Sequence, residues 1–146
     1  MEKDKSVKMN NSELDISNFS KCIDSLKTCT TDYKAAPSDV MKNYIADACV
    51  KRFEFTVETA WKTMKKYLKL EYGKKDEELS MNNIFRLMEG YGFIGSWEKW
   101  RFYYDRRNDT SHEYNHEKAA LLLPIVDEFV ADCEFLYKNL EKALGE

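Results

Sequence analysis

A long helical pattern without a breaker, from about Asp39 to Tyr72, most restricts the fold that this chain can adopt. Apolar residues recur along it at spacings of three and four, which places them on one face of an α-helix. They are Tyr44, Ala48, Phe53, Val57, Ala60, Trp61, Met64 and Leu68, and the pattern predicts that Phe55 and Trp61 widen this stripe. Helix propensity alone is marginal, so such a helix must bury this face against other helices.

Similar patterns predict four more helices, each preceded by a residue that can break or cap a helix. The predicted ranges are about Leu14 to Tyr33, Met81 to Tyr91, Trp97 to Arg107 and His116 to Leu144. The predicted N-caps are Ser38 or Asp39, Ser80, Ser96 and Asn115, and Gly73 is predicted to end the longest helix. The large apolar groups of the predicted helix from Trp97 to Arg107 are Trp97, Trp100, Phe102 and Tyr104. No strand alternation competes with these patterns.

The composition agrees with an all-α protein, because only five Gly and two Pro occur and charged residues make up 34% of the chain. Three long helices and a pair of shorter ones predict an up-and-down four-helix-type bundle with one position built from the shorter helices. A length of 146 residues suits one core. We expect a flexible arm over residues 1–12 and a single bundle domain over residues 13–146.

Charge and cysteine content bear on the class of protein and its location. The net charge of −3 argues against a general DNA-binding polycation, although a local basic site remains compatible with it. The four cysteines lack the spacing of a zinc knuckle or redox motif, so we expect buried free thiols and a reducing cytoplasm. The polar stretch from Met1 to Ser12 predicts no signal peptide, and no apolar run reaches membrane-spanning length.

A polar segment from Arg106 to Tyr114 stands at the predicted junction between the last two helices. It holds two guanidinium groups, a histidine, two hydroxyls, an amide and a phenol, with no apolar residue before its last position. A core helix would not have this composition. The segment is typical of a site that clamps an anion beside a proton-transfer group.

The first interpretation of this segment is a zinc site, because His112 and His116 are four residues apart and Glu113 follows the first histidine. A zincin motif lies in the middle of a helix with apolar neighbours. Here turn and cap formers precede it, from Asn108 to Ser111, and Asn115 resembles a cap within it. We therefore expect no bound metal and no cofactor.

The second interpretation is RNA cleavage by Arg107 and His112 without a metal. Arginine binds phosphate through two parallel hydrogen bonds, and histidine transfers protons near neutral pH. One histidine cannot easily serve both ends of an in-line attack, and a symmetric dimer would bring a second Arg107 and His112 into the same cleft. A purely structural alternative has Arg107 capping a helix end and His112 bonded to the start of the next helix.

Two blocks of the sequence resemble the nucleotidyltransferase substrate-binding protein family of the wider HEPN superfamily. One is Arg107-Asn108-x-Thr110-Ser111-His112-x-Tyr114, and the other extends from Lys51 to Leu68 around Arg52-Phe53-Glu54. A Gly-Phe-Ile turn at Gly92 to Ile94 lies between them, as in the family. The resemblance covers most of residues 14–144.

This resemblance implies a helical bundle, usually homodimeric, with a separately encoded minimal nucleotidyltransferase as its partner. It makes Arg107 and His112 the catalytic candidates and Tyr114 a tyrosine that the partner modifies with a nucleotide. Asn108, Ser111 and Arg106 would support the site. Arg52 and Glu54 would either join it or form a buried pair that holds the long helix against the junction.

Two functions follow, and both place the protein in the cytoplasm, away from membranes. The first is the HEPN component of a toxin-antitoxin-like system, a metal-independent ribonuclease that the nucleotidyltransferase silences. The second is a non-catalytic subunit that binds a substrate or nucleotide for the transferase. The chain lacks the phosphate loop and paired aspartates that would make it the transferase itself.

Overall fold

The computed structural model describes residues 14–112 and 116–145, and for residues 110–112 and 116–121 it describes the backbone alone. Within these ranges the chain forms five α-helices and no strand, which confirms the predicted all-α fold. They are α1 (Ser17–Ala35), α2 (Asp39–Tyr72), α3 (Met81–Gly90), α4 (Trp97–His112) and α5 (His116–Gly145). A short 3-10 helix, Asp76–Glu78, lies in the charged loop after α2. The predicted arm over residues 1–12 lies outside the described residues.

Local signals fix both ends of α2 where the sequence predicts them. At its start the Ser38 side chain accepts a hydrogen bond of 3.2 Å from the backbone N–H of Met41. At its end Gly73 adopts a left-handed conformation with a φ of 63°, which glycine enters without a steric penalty. Ser80 and Ser96 cap α3 and α4 in the same way as Ser38, accepting from Asn83 and Lys99.

The helices run alternately up and down. Phe19 of α1 contacts Tyr137 of α5, and later along α1 the ammonium of Lys34 lies 2.7 Å from the carboxylate of Asp127, so these two helices are antiparallel. Asn139 of α5 donates to the carbonyl of Phe93 just before α4, and Lys99 of α4 is 3.0 Å from Asp132 earlier along α5, so α4 and α5 are also antiparallel. Helix α3 packs beside α4 and α2. The predicted bundle with one position built from shorter helices is therefore confirmed.

An aromatic cluster forms the centre of the core. Phe129 of α5 contacts three rings edge to face, those of Phe53, Trp100 and Tyr103, at centroid distances of 4.9, 5.6 and 4.8 Å. Such pairs stabilise a core beyond their buried area. The sequence pattern singles out Trp100 but misses Tyr103, whose buried hydroxyl donates to the carboxylate of Asp132.

Two aromatic residues that the pattern places on the apolar face of α2 lie instead on its outer surface. Tyr44 is 70% exposed and Phe55 is 63% exposed. Phe53 and Val57 are fully buried, and at about 100° per residue Phe55 projects to the side opposite Phe53. The predicted widening of the stripe by Phe55 was therefore wrong. Phe102 of α4 is also exposed, although the pattern counts it among the large apolar groups of that helix.

Helix α4 continues past Arg107, where the sequence predicts its end, and reaches His112. The residues of this last turn and a half favour turns and caps when considered alone. Ion pairs within the helix oppose that preference: Arg101 lies 3.2 Å from Asp105, and Arg106 lies 2.6 Å from Asp109. The predicted caps at the start of the next helix include Asn115, which lies outside the described residues.

All four cysteines lie in described helices as buried free thiols, as the sequence predicts. No described helix combines the length and the hydropathy that a membrane crossing requires.

Candidate functional site

A groove of about 400 Å³ lies between the outer face of α2 and the second half of α4. Its lining brings together three cations, two carboxylates and one exposed ring: Lys51, Arg52, Glu54, Phe55, Glu58 and Arg107. The two sequence blocks that carry the family resemblance therefore meet in space. Arg52, Glu54 and Arg107, which the sequence predicts as site residues, all line this groove.

Arg107 is held in place from two sides. Its Nη2 lies 2.9 Å from Oε1 of Glu58 on α2, and its Nη1 donates to Oδ1 of Asn108 at 3.0 Å. The side chain of Arg107 is 28% exposed, so it lines the groove while remaining partly buried. Asn108, which the sequence predicts to support the site, contacts this guanidinium directly.

Glu58 is a residue of the groove for which the sequence predicts no role. Besides Arg107, its carboxylate accepts a hydrogen bond from Trp61 Nε1 at 3.3 Å and lies 3.1 Å from the ammonium of Lys62. A signal for it exists in the sequence: Glu58 follows Lys51 and Glu54 by seven and four residues, on the polar face of α2. Its partner on α4 cannot be identified from that spacing.

Arg52 and Glu54 do not pair with each other. Nη1 of Arg52 donates to Sγ of Cys29 on α1 at 3.0 Å, whereas Glu54 lies 4.0 Å from the ammonium of Lys51. Residues two apart on a helix project in nearly opposite directions, which prevents the pair. Burial and a hydrogen bond with Cys29 raise the pKa of the neighbouring Cys49 thiol to about 12, so this thiol stays protonated at neutral pH.

Arg106 does not line the groove. Its guanidinium lies 2.6 Å from Asp109 and 5.5 Å from the centroid of the Phe102 ring. These contacts stabilise the end of α4. Arg106 therefore supports the segment that carries Arg107, as a residue of the same helix.

His112 and Ser111 share helix α4 with Arg107, and their side chains lie outside the description, as does Tyr114 altogether. Because both catalytic candidates belong to one helix, the backbone positions of Arg107 and His112 are about 7.5 Å apart along its axis. Among the described side chains no three His, Cys, Asp or Glu residues are grouped to hold a metal ion. His112 and His116 are not among these described side chains, because only their backbone is described.

The lysines of α2 beyond the groove lie at the surface beside acidic residues. Lys62 lies beside Glu58, and Lys65 and Lys69 lie 3.7 and 2.9 Å from Asp76 in the loop after α2. Exposed pairs of this kind contribute little to stability. They also partly neutralise the charge that a nucleic acid would require.

The lining of the groove supplies the donors that an anion requires, with the guanidinium of Arg107 held at two of its nitrogens. A guanidinium with two anchored nitrogens is preorganised, so little reorganisation is required when charge develops beside it. The other lining cations, Lys51 and Arg52, add positive potential within one or two helical turns. The exposed Phe55 ring borders the groove and gives it an apolar edge.

Comparison with protein families matches residues 14–142 to the family described as "Nucleotidyltransferase substrate binding protein like". A relative from Haemophilus influenzae named "Probable ribonuclease HepT" is 35% identical over 108 residues, which is 73% of this chain and 73% of the relative.

Two solved structures share the fold. One, from Haemophilus influenzae, is described as the fold of a substrate-binding domain of a nucleotidyltransferase. It has a TM-score of 0.78 and 26% identity, and the match covers 87% of this chain and 99% of the other. The second, from Thermus thermophilus, has a TM-score of 0.69 and 25% identity, over 84% and 98% of the two chains.

Proposed function

Because the chain belongs to the nucleotidyltransferase substrate-binding protein family, we propose that it is the HEPN component of a two-component system. Its partner in this proposal is a separately encoded minimal nucleotidyltransferase. The family is associated with a nucleotidyltransferase, and the relative named as a probable ribonuclease supports a nuclease activity for this component. The activity that we propose is cleavage of RNA without a metal ion.

The anchored guanidinium of Arg107 is the observation that carries this proposal. Glu58 and Asn108 hold it at the surface of the groove, where it would bind the scissile phosphate and stabilise the negative charge that grows on its oxygens. His112 would take the proton from the ribose 2′-hydroxyl. The 2′-oxygen then attacks phosphorus, the 5′-oxygen leaves with a proton, and the products are a 2′,3′-cyclic phosphate and a 5′-hydroxyl.

A homodimer completes this mechanism, since the leaving 5′-oxygen needs a proton donor on the opposite side of the phosphorus. A second copy of His112 would supply it. The outer face of α2 supports a docking surface beside the groove, because it exposes large apolar side chains at helical spacing. These residues are Val40, Met41, Tyr44 and Phe55. Exposed apolar side chains on one face of a helix, here a group at the start of α2 and Phe55 beside the groove, are typical of a protein–protein interface.

We propose Tyr114 as the residue through which the partner silences the nuclease. It follows His112 by two positions, so a nucleotide attached to its hydroxyl would lie close to the catalytic pair. The added phosphate would repel the RNA backbone, and the added bulk would block the cleft. RNA and the partner's nucleotide are thus the expected ligands of one site.

A non-catalytic binding subunit is the second candidate function. The description of the Haemophilus influenzae structure as a substrate-binding domain of a nucleotidyltransferase favours it. In this case the same cationic groove would bind a substrate or nucleotide for the transferase. A stable complex with the transferase and the absence of any RNA cleavage would distinguish it from the nuclease.

Incubation of cellular RNA with the purified protein in EDTA tests the nuclease. We expect the wild type to cleave and His112→Ala to lose cleavage by about 100-fold or more, as removal of an acid–base group does. Arg86→Ala is the control, because Arg86 lies on α3, where its guanidinium is 4.2 Å from the centroid of the Trp97 ring and outside the groove. Absence of cleavage by folded, unmodified wild-type dimer would favour the binding subunit.

A further inference from the structure

We infer that Glu58 is a positioning residue, which fixes the guanidinium of Arg107 in the orientation that the phosphate requires. This inference rests on the proposed function and deepens it, since it names a residue on α2 through which the bundle sets the site on α4. Glu58 touches neither RNA nor the reacting atoms in this scheme. It acts through Arg107 alone.

The contacts of Glu58 make it a fixed anchor. Three donors from two helices converge on its carboxylate: Arg107 at 2.9 Å, Trp61 at 3.3 Å and Lys62 at 3.1 Å. Its side chain is only 25% exposed, which limits the rotamers that it can adopt. Because several hydrogen bonds fix the position of this carboxylate, the carboxylate in turn restricts the positions of the Arg107 nitrogens that bind it.

Asn108 supplies the second point of attachment for the guanidinium. Because Nη1 donates to Asn108 and Nη2 to Glu58, the plane of the group is set by one contact within α4 and one from α2. A planar group fixed at two nitrogens has little freedom to rotate about its stem. The entropy of ordering Arg107 is then lost on folding, before RNA binds.

The negative charge of Glu58 beside a phosphate site is offset by its neighbours. Lys62 and Arg107 both lie within 3.1 Å of the carboxylate, so the cluster of these three side chains keeps a net positive charge. Lys51 and Arg52 add to it along the same groove. Glu58 can thus orient Arg107 while the electrostatic potential of the groove remains positive.

A purely structural bridge between α2 and α4 is the competing interpretation of the contact, and Asp132 provides a matched control for it. Asp132 also joins two helices, lies 3.0 Å from Lys99, and has a side chain that is 28% exposed. Loss of charge at Asp132 would remove an interhelical contact of comparable burial without touching Arg107. The two sites therefore separate lost stability from lost orientation.

Cleavage kinetics of Glu58→Ala, Glu58→Gln and Asp132→Asn on one RNA oligonucleotide test the inference. We expect Glu58→Ala to lower kcat on the order of 10- to 100-fold, because small misplacements of a catalytic group have effects of this size. KM should change by less than about 3-fold, since the transition state loses more than the ground state. Glu58→Gln keeps an acceptor oxygen for Arg107 and should recover part of kcat.

A wild-type kcat in Glu58→Ala, or an equal loss in Asp132→Asn, would overturn the positioning role. If Glu58→Ala fails to fold, the isosteric Glu58→Gln still tests the positioning role of Glu58. A kcat of this variant equal to that of the wild type, at pH 7 and at reduced temperature, would contradict that role.

Nitrogen-15 NMR of the arginine side chains provides a readout that does not require cleavage. In the wild type we expect slow rotation of the Arg107 guanidinium about its terminal C–N bonds, and fast rotation in Glu58→Ala. Unchanged rotation in that variant would overturn the inference. If the wild type cleaves no RNA but the rotation changes as expected, the nuclease fails while the anchoring of Arg107 by Glu58 stands.

Discussion

Several buried acidic groups among the described residues resist ionisation in the folded state, Tyr67 and Cys49 among them. Tyr67 packs edge to face against Phe93 at 4.9 Å, and burial together with the nearby Tyr72 raises the pKa of its phenol to about 12. Burial raises the pKa of the Cys49 thiol to a similar value. Both groups stay neutral at physiological pH because a charge at either position would lose its hydration.

Stability should therefore fall as the pH rises above about 10. In that range the unfolded chain loses the Tyr67 proton while the folded chain keeps it, so ionisation stabilises the unfolded state. Tyr67→Phe keeps the ring and removes this effect. We expect the free energy of unfolding of this variant, measured by urea denaturation, to increase relative to that of the wild type from pH 8 to pH 11. If the difference in free energy of unfolding between the variant and the wild type is the same at pH 8 and at pH 11, the raised pKa of Tyr67 is contradicted.

For individual residues, the sequence predicts which residue types belong to the candidate site, but it predicts poorly which residues contact each other. Arg107, Asn108, Arg52 and Glu54 can be selected from their residue types, and the structure brings all four to one region. Glu58 cannot be selected in this way, because its role depends on the distance between α2 and α4, which no local spacing encodes. The pairing of Tyr103 with Asp132 is missed for the same reason.

At the scale of helices, α2 connects most parts of the molecule, since it packs against α1, α4 and α5 and carries most of the groove. Its start is set by the Ser38 cap. Without that cap the first-turn amides would rely on water, and the end that bears the exposed Val40 and Met41 would fray.

Ser38→Ala should lower the free energy of unfolding by about 1 kcal/mol, which is typical of the loss of an N-cap. Ser38→Asp is the matched control, because its carboxylate can accept the same hydrogen bond and also favours the positive end of the helix dipole. Thermal or urea unfolding compares the three proteins. Equal stability of the alanine and wild-type proteins would show that the cap contributes nothing.

Helix ends that depend on local residues are predictable, and the end of α4 is not. Gly73 and Ser38 act within their own turn, so the bounds of α2 match the sequence pattern. At Arg107 the local preference of Asn108 and its neighbours for turns is outweighed by side-chain pairs and by the contact with Glu58. Tertiary contacts override propensity there, which places both catalytic candidates in one helix.

For the whole molecule, the bundle could be predicted because stripes at 3.6-residue spacing and few breakers leave little choice of fold class. The interior of each helix follows from its stripe, and Phe53, Met64 and Leu68 are buried as expected. The outer apolar face could not be recognised, because Tyr44 and Phe55 fall close enough to the core stripe in sequence to be counted with it.

We expect that outer face to form the homodimer. Phe55→Asp should convert a particle of twice 17.3 kDa into one of 17.3 kDa, because a carboxylate cannot be buried there without a partner. Phe135→Asp is the matched control, since Phe135 is 49% exposed on α5, on a different helix. Light scattering after size exclusion measures both. A monomeric wild type at micromolar concentration, or dissociation by both variants alike, would contradict the assignment of the interface.

In the proposed mechanism Arg107 serves a metal-independent attack by the ribose 2′-hydroxyl. The most direct test incubates one RNA oligonucleotide and its fully 2′-O-methylated copy with wild type and Arg107→Ala in EDTA, followed by mass spectrometry of the products. We expect 2′,3′-cyclic phosphate ends from the unmodified RNA with wild type alone, and an intact methylated copy. Cleavage of the methylated copy, or cleavage that persists in Arg107→Ala, would contradict it, as would no cleavage by a folded wild-type dimer.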